Sequence, residues 1–547
     1  MTISLKLKFI FTIFFLLNLI IFTKNNAAAE NDYAEALLEI LKVYPDSNIE
    51  AELNEEEDES EVEFSKDMKF LNITLKDSIY LALQNNYDIK IARLEPIIKE
   101  KDITAAKSVF DPVLEVTGKT GDSEIPSNSQ LQIGFGDGIL DFRYDTNTLE
   151  ARLKKLLETG ATFSLEFNMG HTFLDPAPFV FIHPFSDSSI EAKVTQPLLK
   201  NAGIFYNRSN IHIARNDKKK SILQLKSTTI DIIDSVQKAY WNLVKAIEDL
   251  RVRNKSLERA KDLLKKNKIQ VEVGTMAPIE VLEAEEGVAS QLEAVIVAEN
   301  EIKNKEDDLK KVMNLQNNSV LSDVSIVPLN KAATEYNDVS LDESIKAALE
   351  NRPELFEQNI DMENNRITVQ QRKNELLPKF DFEAGIRYNG LARNYGNSID
   401  STLSQDFQSE FFGVTLEVPI GNREARSNYS KAKSREKQSI LNTKKVEQDI
   451  IVEVRKAVRQ INTNTERIKA TTKALELAQK RLDAEGKKFK VGRSTSLEVI
   501  RAQEDLAVAE GNATKAKVDY QISLGELDAT QGISLKKNNI IIDEHNL

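Results

Sequence analysis

The chain has 547 residues, with 73 Lys+Arg, 86 Asp+Glu, four His, one Trp, no Cys and a formal net charge of −13. The missing cysteines exclude disulfides, thiol nucleophiles, zinc-cysteinate centres and a lipidated N-terminal cysteine. With 29% charged residues, 20 Gly and 13 Pro, the chain is not collagen-like and not a polytopic helical membrane protein.

Lys6 and Lys8 precede an apolar stretch from Phe9 to Phe22, and Ala27, Ala28 and Ala29 supply small residues at cleavage positions. Residues 1–29 therefore read as a cleaved signal peptide, since the stretch is shorter than the ~20 residues a spanning helix needs. Removing it takes the charge to −16, and residues 30–63 then carry 14 acids against one base, Lys42. Such a run repels itself and buries little, so residues 30–68 are expected to form a mobile acidic leader with one short helix near Tyr33 to Val43. With no basic patch, the sequence gives no support for nucleic-acid binding. Nothing after residue 30 resembles a transmembrane helix, but the alternating ~10-residue strands of an outer membrane barrel leave little hydropathy signal.

The rest of the chain is an internal duplication. Ile73 to Asn85 matches Val339 to Asn351, and the register holds as far as Pro112 and Pro378. Further on, Arg208-Ser209-Asn210 matches Arg426-Ser427-Asn428, Val273-Gly274 matches Val491-Gly492, and Glu280-Val281 matches Glu498-Val499. Copy one spans residues 70–315, a polar linker 316–337, copy two 338–534, and a C-terminal tail 535–547.

Each copy shows the same order of elements. Thr74 is a plausible N-cap for a helix opening at Leu75, with Asp77 in its first turn, and the helical pattern runs on towards Pro112. Period-two alternation then marks strands near 112–120 and 189–197 in copy one, and near 378–388 and 411–419 in copy two, read as one hairpin per copy. Residues 121–188 are an insertion suited to an external loop or an added hairpin, with Thr162 to Phe167 alternating like a strand. Next come coiled coils over 208–313 and 426–531. The stretch from Arg208 to Glu272 lacks Pro and Gly and places Val236, Tyr240, Leu243, Ile247, Leu250, Leu257 and Leu264 on an a/d pattern, a helix of roughly 100 Å that supercoils with a partner. The returning helix carries Val281, Ala284, Val288 and Val295, or Val499, Ala502, Leu506 and Ala513 in copy two. Glycine in each Val-Gly step reads as a tight antiparallel turn.

Two hairpins give four strands, too few to enclose water, because ~8 strands leave room only for side chains. Exposed sheet edges are costly in a membrane, so closure requires several copies, and three chains would supply twelve strands.

The duplicated order of helix, hairpin, long helix, Val-Gly turn and returning helix resembles the TolC-like outer membrane efflux proteins over residues 70–534. The carriers are the paired segments Leu75 to Asn85 and Leu341 to Asn351, the segment Thr195-Gln196-Pro197-Leu198-Leu199, and the two Val-Gly turns. The resemblance implies a mainly α fold with β: a homotrimer whose 12-stranded outer membrane β-barrel continues into a periplasmic α-helical tunnel. It implies an exit duct of a tripartite efflux or type I secretion system, docked onto a periplasmic adaptor and an inner membrane pump or exporter. By the same resemblance, Val273, Gly274 and Thr275 with Val491, Gly492 and Arg493 are docking candidates. Glu498 and Arg501, with Glu280 and Glu283 in copy one, are candidates for the closed periplasmic aperture. Arg501 stands where the family usually has an acid, so a purely cation-selective entrance is not implied.

The sequence motivates no enzyme reading and no cofactor or metal. His171, His183, His212 and His545 form no ligand pair, and neither a nucleophile elbow nor a phosphate loop is present. A periplasmic adaptor or coiled-coil scaffold is the competing reading, but it would not need two copies of a membrane-type hairpin.

Overall fold

A computed structural model describes residues 70–126, 141–175, 177, 180–315, 324–332 and 339–542. The expected signal peptide, the expected acidic leader with its helix near Tyr33 to Val43, and most of the linker lie outside the described residues.

β1 (Phe70–Ile73) leads into α1 (Leu75–Asn85). Thr74 caps this helix through a capping box: Asp77 N–H donates to Thr74 Oγ1 at 3.2 Å, and Thr74 N–H donates to Asp77 Oδ2 at 2.8 Å. The single helix expected from Leu75 towards Pro112 is broken at Asn86, where the backbone turns extended before α2 (Tyr87–Lys107). Asn86 restarts the helix by accepting from the Asp88 and Ile89 amides. Copy two breaks at the equivalent Arg352 for a different reason, because Pro353 pushes the preceding residue out of the α region.

Four strands follow: β2 (Val113–Pro126), β3 (Asp141–Leu156), β4 (Thr162–Asp175) and β5 (Phe185–Pro197). The two long helices of copy one are α3 (Ile204–Glu272), of 69 residues, and α4 (Ile279–Met313), of 35. β6 (Ser325–Pro328) lies in the linker and pairs in parallel with β1. Copy two consists of α5 (Leu341–Asn351), α6 (Pro353–Asn374), β7 (Lys379–Ala392), α7 (Tyr395–Ser404), β8 (Gln408–Glu417), α8 (Arg423–Lys490, 68 residues) and α9 (Ser496–Thr530, 35 residues). A short helical turn, Ser534–Lys537, leads from copy two into the tail.

The six longer strands form one antiparallel sheet in the order β2-β3-β4-β5-β7-β8. The expected hairpin of β2 with β5 is therefore not formed. β3 and β4 stand between them, because the alternating segment at Thr162 to Phe167 and the one before it pair along their whole lengths with both neighbours. Among the described residues each chain thus contributes six strands to this sheet, where the sequence reading counts four. α7, which sequence reading missed, packs on β5 and β7: Ser398 Oγ donates to Ser188 Oγ at 2.8 Å, and Gly390 leaves space for the backbone of Ser398.

Below the sheet, α2 and α6 flank the upper parts of α3 and α8, while α4 and α9 pack against their lower parts. The main core surrounds Val236, Tyr240, Leu243, Leu309 and Met313, all sealed from solvent, with Trp241 edge-to-face on Tyr240 at 5.6 Å. The Tyr240 hydroxyl donates to Asn330 Oδ1 at 2.9 Å, which ties the linker to α3. In copy two, Val499, Ala502, Leu506, Ala513, Ala516, Tyr520 and Leu527 are buried as their spacing predicts. In copy one the seam drifts below Leu250. Ser256, Ala260, Leu263 and Asn267 face inward there and Leu264 is only half-buried, because the helix needs to pack on α9 as well as on α4. Among the described residues no helix is long and apolar enough to cross a membrane.

Candidate functional site: docking turns, aperture residues and sheet wall

Both helix pairs reverse through the same turn. At the end of α3, Thr275 N–H reaches back to Gln270 O at 2.9 Å and Gly274 N–H to Val271 O at 3.0 Å. At the end of α8, Arg493 N–H reaches Lys488 O at 2.9 Å and Gly492 N–H reaches Phe489 O at 3.1 Å. Each is a Schellman closure, which needs a left-handed residue, and Gly274 and Gly492 supply it with φ of 72° and 70°. A Cβ at either glycine would meet nothing within 4 Å, so the backbone angle alone demands glycine and the surroundings are open. Val273 and Val491 lie at the tip with 66% and 70% of their surface exposed. Both apolar side chains thus stand exposed at the ends of the two helix pairs.

The two turns are held side by side. Leu263, Phe489 and Val499 form a buried cluster with Met276, Leu482 and Ile500 around it. Glu280 uses its carboxylate here: Oε2 accepts from Ser496 N–H at 2.9 Å and so caps the start of α9 from the other copy. The buried Asn267 amide donates to both Glu280 O, at 2.9 Å, and Ser496 Oγ, at 2.6 Å. Glu283 is half-buried, with one carboxylate oxygen shielded from solvent and without a hydrogen-bond partner among the described residues.

Glu498 and Arg501 occupy adjacent turns of α9 and pair with each other at 3.2 Å, both largely exposed. Beside them Arg481 pairs with Asp505, joining α8 to α9. On the last turns of α8, Ser494 and then Lys488 hold the Glu485 carboxyl below the usual carboxylate range by hydrogen bonding to its ionised form. Sequence reading missed the Glu280–Ser496 and Glu485–Ser494 contacts, whose only trace was that a carboxylate and a serine lie close to each helix end.

The sheet has two chemically opposite faces. Residues directly opposite on paired strands project to the same side, and alternation along each strand fixes the other side. One side carries Val116 (β2), Ala151 (β3), Phe167 (β4), Ile190 (β5) and Tyr388 (β7) as successive partners, with Leu165, Ala192, Ile386 and Leu153 in the adjacent row. The opposite side carries a row of ionised groups, again successive partners: Glu115, Arg152, Glu166, Glu191 and Arg387. Arg152 Nε donates to Glu166 at 2.8 Å and Arg152 also pairs with Glu150, while Arg387 pairs with Glu191 and Lys193 with Glu383 at 2.8 Å. An apolar outer face and an ionised inner face are what a membrane-embedded barrel wall requires.

A wall of this kind, continued by helices of about 100 Å that end in a shared tip, defines a barrel-and-tunnel channel. Residues 180–315 and 344–532 match the family described as outer membrane efflux protein, and the chain belongs to that family. It is 23% identical over 340 residues to outer membrane protein TolC of Vibrio cholerae, covering 60% of this chain and 76% of that one. It is 21% identical over 468 residues to outer membrane efflux protein BepC of Brucella suis, covering 84% and 86%. A shorter similarity, 24% over 211 residues covering 38% and 40%, links it to the alkaline protease secretion protein AprF of Pseudomonas aeruginosa. Among solved structures, the outer membrane channel CmeC of Campylobacter jejuni superposes with a TM-score of 0.61 at 14% identity, covering 92% of this chain and 98% of that one. VceC of Vibrio cholerae gives 0.60 at 14%, covering 84% and 96%.

Proposed function

We propose that the mature chain forms a homotrimeric exit duct in the outer membrane, passive and without covalent chemistry, within an efflux or type I secretion assembly. The strands span the lipid, the paired helices extend into the periplasm, and the tip formed by Val273, Gly274, Thr275, Val491, Gly492 and Arg493 docks onto a periplasmic adaptor served by an inner membrane pump or exporter. The observation that carries this reading is the sheet with one apolar and one ionised face, continuous with helix pairs whose ends expose two valines. A scaffold or adaptor would have no use for the apolar face. The similarity to a protein named for efflux and to one named for alkaline protease secretion leaves both cargo classes within the proposal.

Native mass measurement followed by planar-bilayer conductance on detergent-extracted mature protein tests the duct. A trimer giving discrete conductance steps is expected, and a soluble species without steps would overturn it. If the Glu498–Arg501 pair closes the aperture, replacing both with Ala raises single-channel conductance. Unchanged conductance would remove the pair from the gate. Gly274→Phe and Gly492→Phe should abolish export while leaving trimers intact, since both sites open to solvent; normal export would count against docking through the tip.

A further inference from the structure

We infer that the hairpin β3–β4 is part of the membrane wall, so that three copies close an eighteen-stranded barrel, with β2 of one copy meeting β8 of the next. This rests on the trimeric duct proposed above and changes the shape of its pore: the outer membrane section is wider than four strands per chain would make it.

Three independent features place the hairpin in the wall. First, β3 and β4 are hydrogen-bonded without interruption to each other and to β2 and β5, with partners running from Val113↔Lys154 to Pro126↔Asp141 on one side and from Thr162↔Thr195 to Thr172↔Phe185 on the other. An external loop would not replace the pairing of β2 with β5. Second, its turn is anchored at the helical end of the sheet. Gly203 N–H donates to Thr159 O at 3.0 Å, Arg208 pairs with Glu158 at 3.5 Å, and Gly160, at φ 92°, sits where a Cβ would lie 2.4 Å from Asn201 O. The hairpin therefore runs the full height of the wall and back. Third, it carries both faces of the wall across the insertion. Phe163, Leu165, Phe167 and Met169 continue the apolar side, and Arg152 with Glu166 links the ionised row from β2 to β5.

Among the described residues the two edge strands have no further partner, β2 at one end of the sheet and β8 at the other. In hydrocarbon an unpaired strand edge leaves its N–H and C=O groups with no hydrogen-bond partner, so each edge takes a second copy of this chain as its occupant. Barrel diameter grows roughly linearly with strand number, so eighteen strands give a bore about 1.5-fold wider than twelve. The helical part has no matching addition among the described residues, since each copy supplies the same set of two short helices, one long helix and one returning helix. The narrowest passage, and hence size selection, falls in the tunnel and not in the membrane.

The absence of native cysteine makes disulfide trapping clean. Full-length mature protein carrying Val116→Cys with Ala151→Cys, or Phe167→Cys with Ile190→Cys, should cross-link within one chain in native outer membranes. Val116→Cys with Ile190→Cys should not. The reverse pattern would show the hairpin folded out of the wall and overturn the inference. Electron cryomicroscopy of the unmodified trimer counts strands independently: eighteen are expected, and a trimer with twelve would overturn the inference while leaving the duct intact. A particle that is not a trimer would instead overturn the duct itself.

Discussion

The two copies of the repeat agree below the membrane and diverge within it. Their long helices have 69 and 68 residues and their returning helices 35 each, and both pairs end in the same turn. Copy one, however, places four strands in the sheet, and copy two places two strands and a helix. The helical half is constrained because both tips must arrive at one level to share the cluster of Leu263, Phe489 and Val499. An extra residue in one helix would lift its tip by ~1.5 Å and turn its seam by 100°. The wall has no such constraint, because a strand pair that goes up and returns leaves the chain where it started.

The sharpest way to break this comparison is at the hairpin that copy two lacks. Gly160→Val combines a left-handed backbone with a clash against Asn201 O, and should cost about 4 kcal/mol and sharply reduce folded protein in the membrane. Gly396→Ala, in the helix that takes the corresponding place in copy two, has its nearest neighbour at 3.8 Å and should be tolerated. Equal loss in both would mean that the hairpin turn is not specially anchored. The shared tip is the next target. Phe489→Ala should destabilise by about 3 kcal/mol, read as a lower temperature of heat dissociation in detergent; no shift would mean that the two copies are not joined through it. Smaller still are Gly274→Ala and Gly492→Ala, expected to cost about 1–2 kcal/mol each from φ alone. Their stability losses should match, so a difference in export between them would identify the turn that bears more of the docking.

The smallest effect concerns pH. Burial raises the Glu306 carboxyl above its ordinary value of 4.5, offset in part by the Ile326 amide that donates to it at 3.1 Å. The folded state then binds the proton more tightly than the unfolded one, so this contribution to stability is full below pH 4.5 and is lost as pH rises through the raised value. Glu306→Gln keeps the acceptor for Ile326 and should remove that slope. An unaltered pH dependence of heat dissociation would assign the slope to another group.

Much of the helical half was legible in the sequence, because repeated apolar spacing and a glycine at each helix end are strong, local and duplicated signals. The N-cap at Thr74 was legible for the same reason, whereas the reciprocal bond from the Thr74 amide to Asp77 emerged only in the structure. The break at Asn86 was not, since its extended backbone depends on a side chain turning back to cap the next helix. The sheet was half legible. Thr162 to Phe167 alternates plainly, but on β3 the apolar face is reduced to Leu149, Ala151 and Leu153, while Glu150, Arg152 and Lys154 give the segment a surface-like composition. Those charges belong to the ionised row, a property that exists only once neighbouring strands are in register. Which strand neighbours which was not readable, because all six share one period. At the tip, the turns and Glu498 were placed correctly on their elements, whereas the bond from Glu280 to Ser496 joins residues brought together only by the packing of one copy on the other.

The parallel pair β1–β6 has a consequence for how the chain folds. The amide of Leu75 is held by Asn330 Oδ1 at 2.8 Å across 255 residues of sequence, and Tyr240 donates to the same oxygen. Closing so long a loop costs entropy that only the finished contact repays, and such non-local contacts form slowly. The turn that joins the two helices of copy one, by contrast, needs only residues close in the chain. Copy one therefore acquires its hairpin of helices early and its clasp late, after the linker has been delivered. Cutting the chain between Met313 and Ser325 should leave the coiled coil able to form while the clasp around Tyr240 stays open.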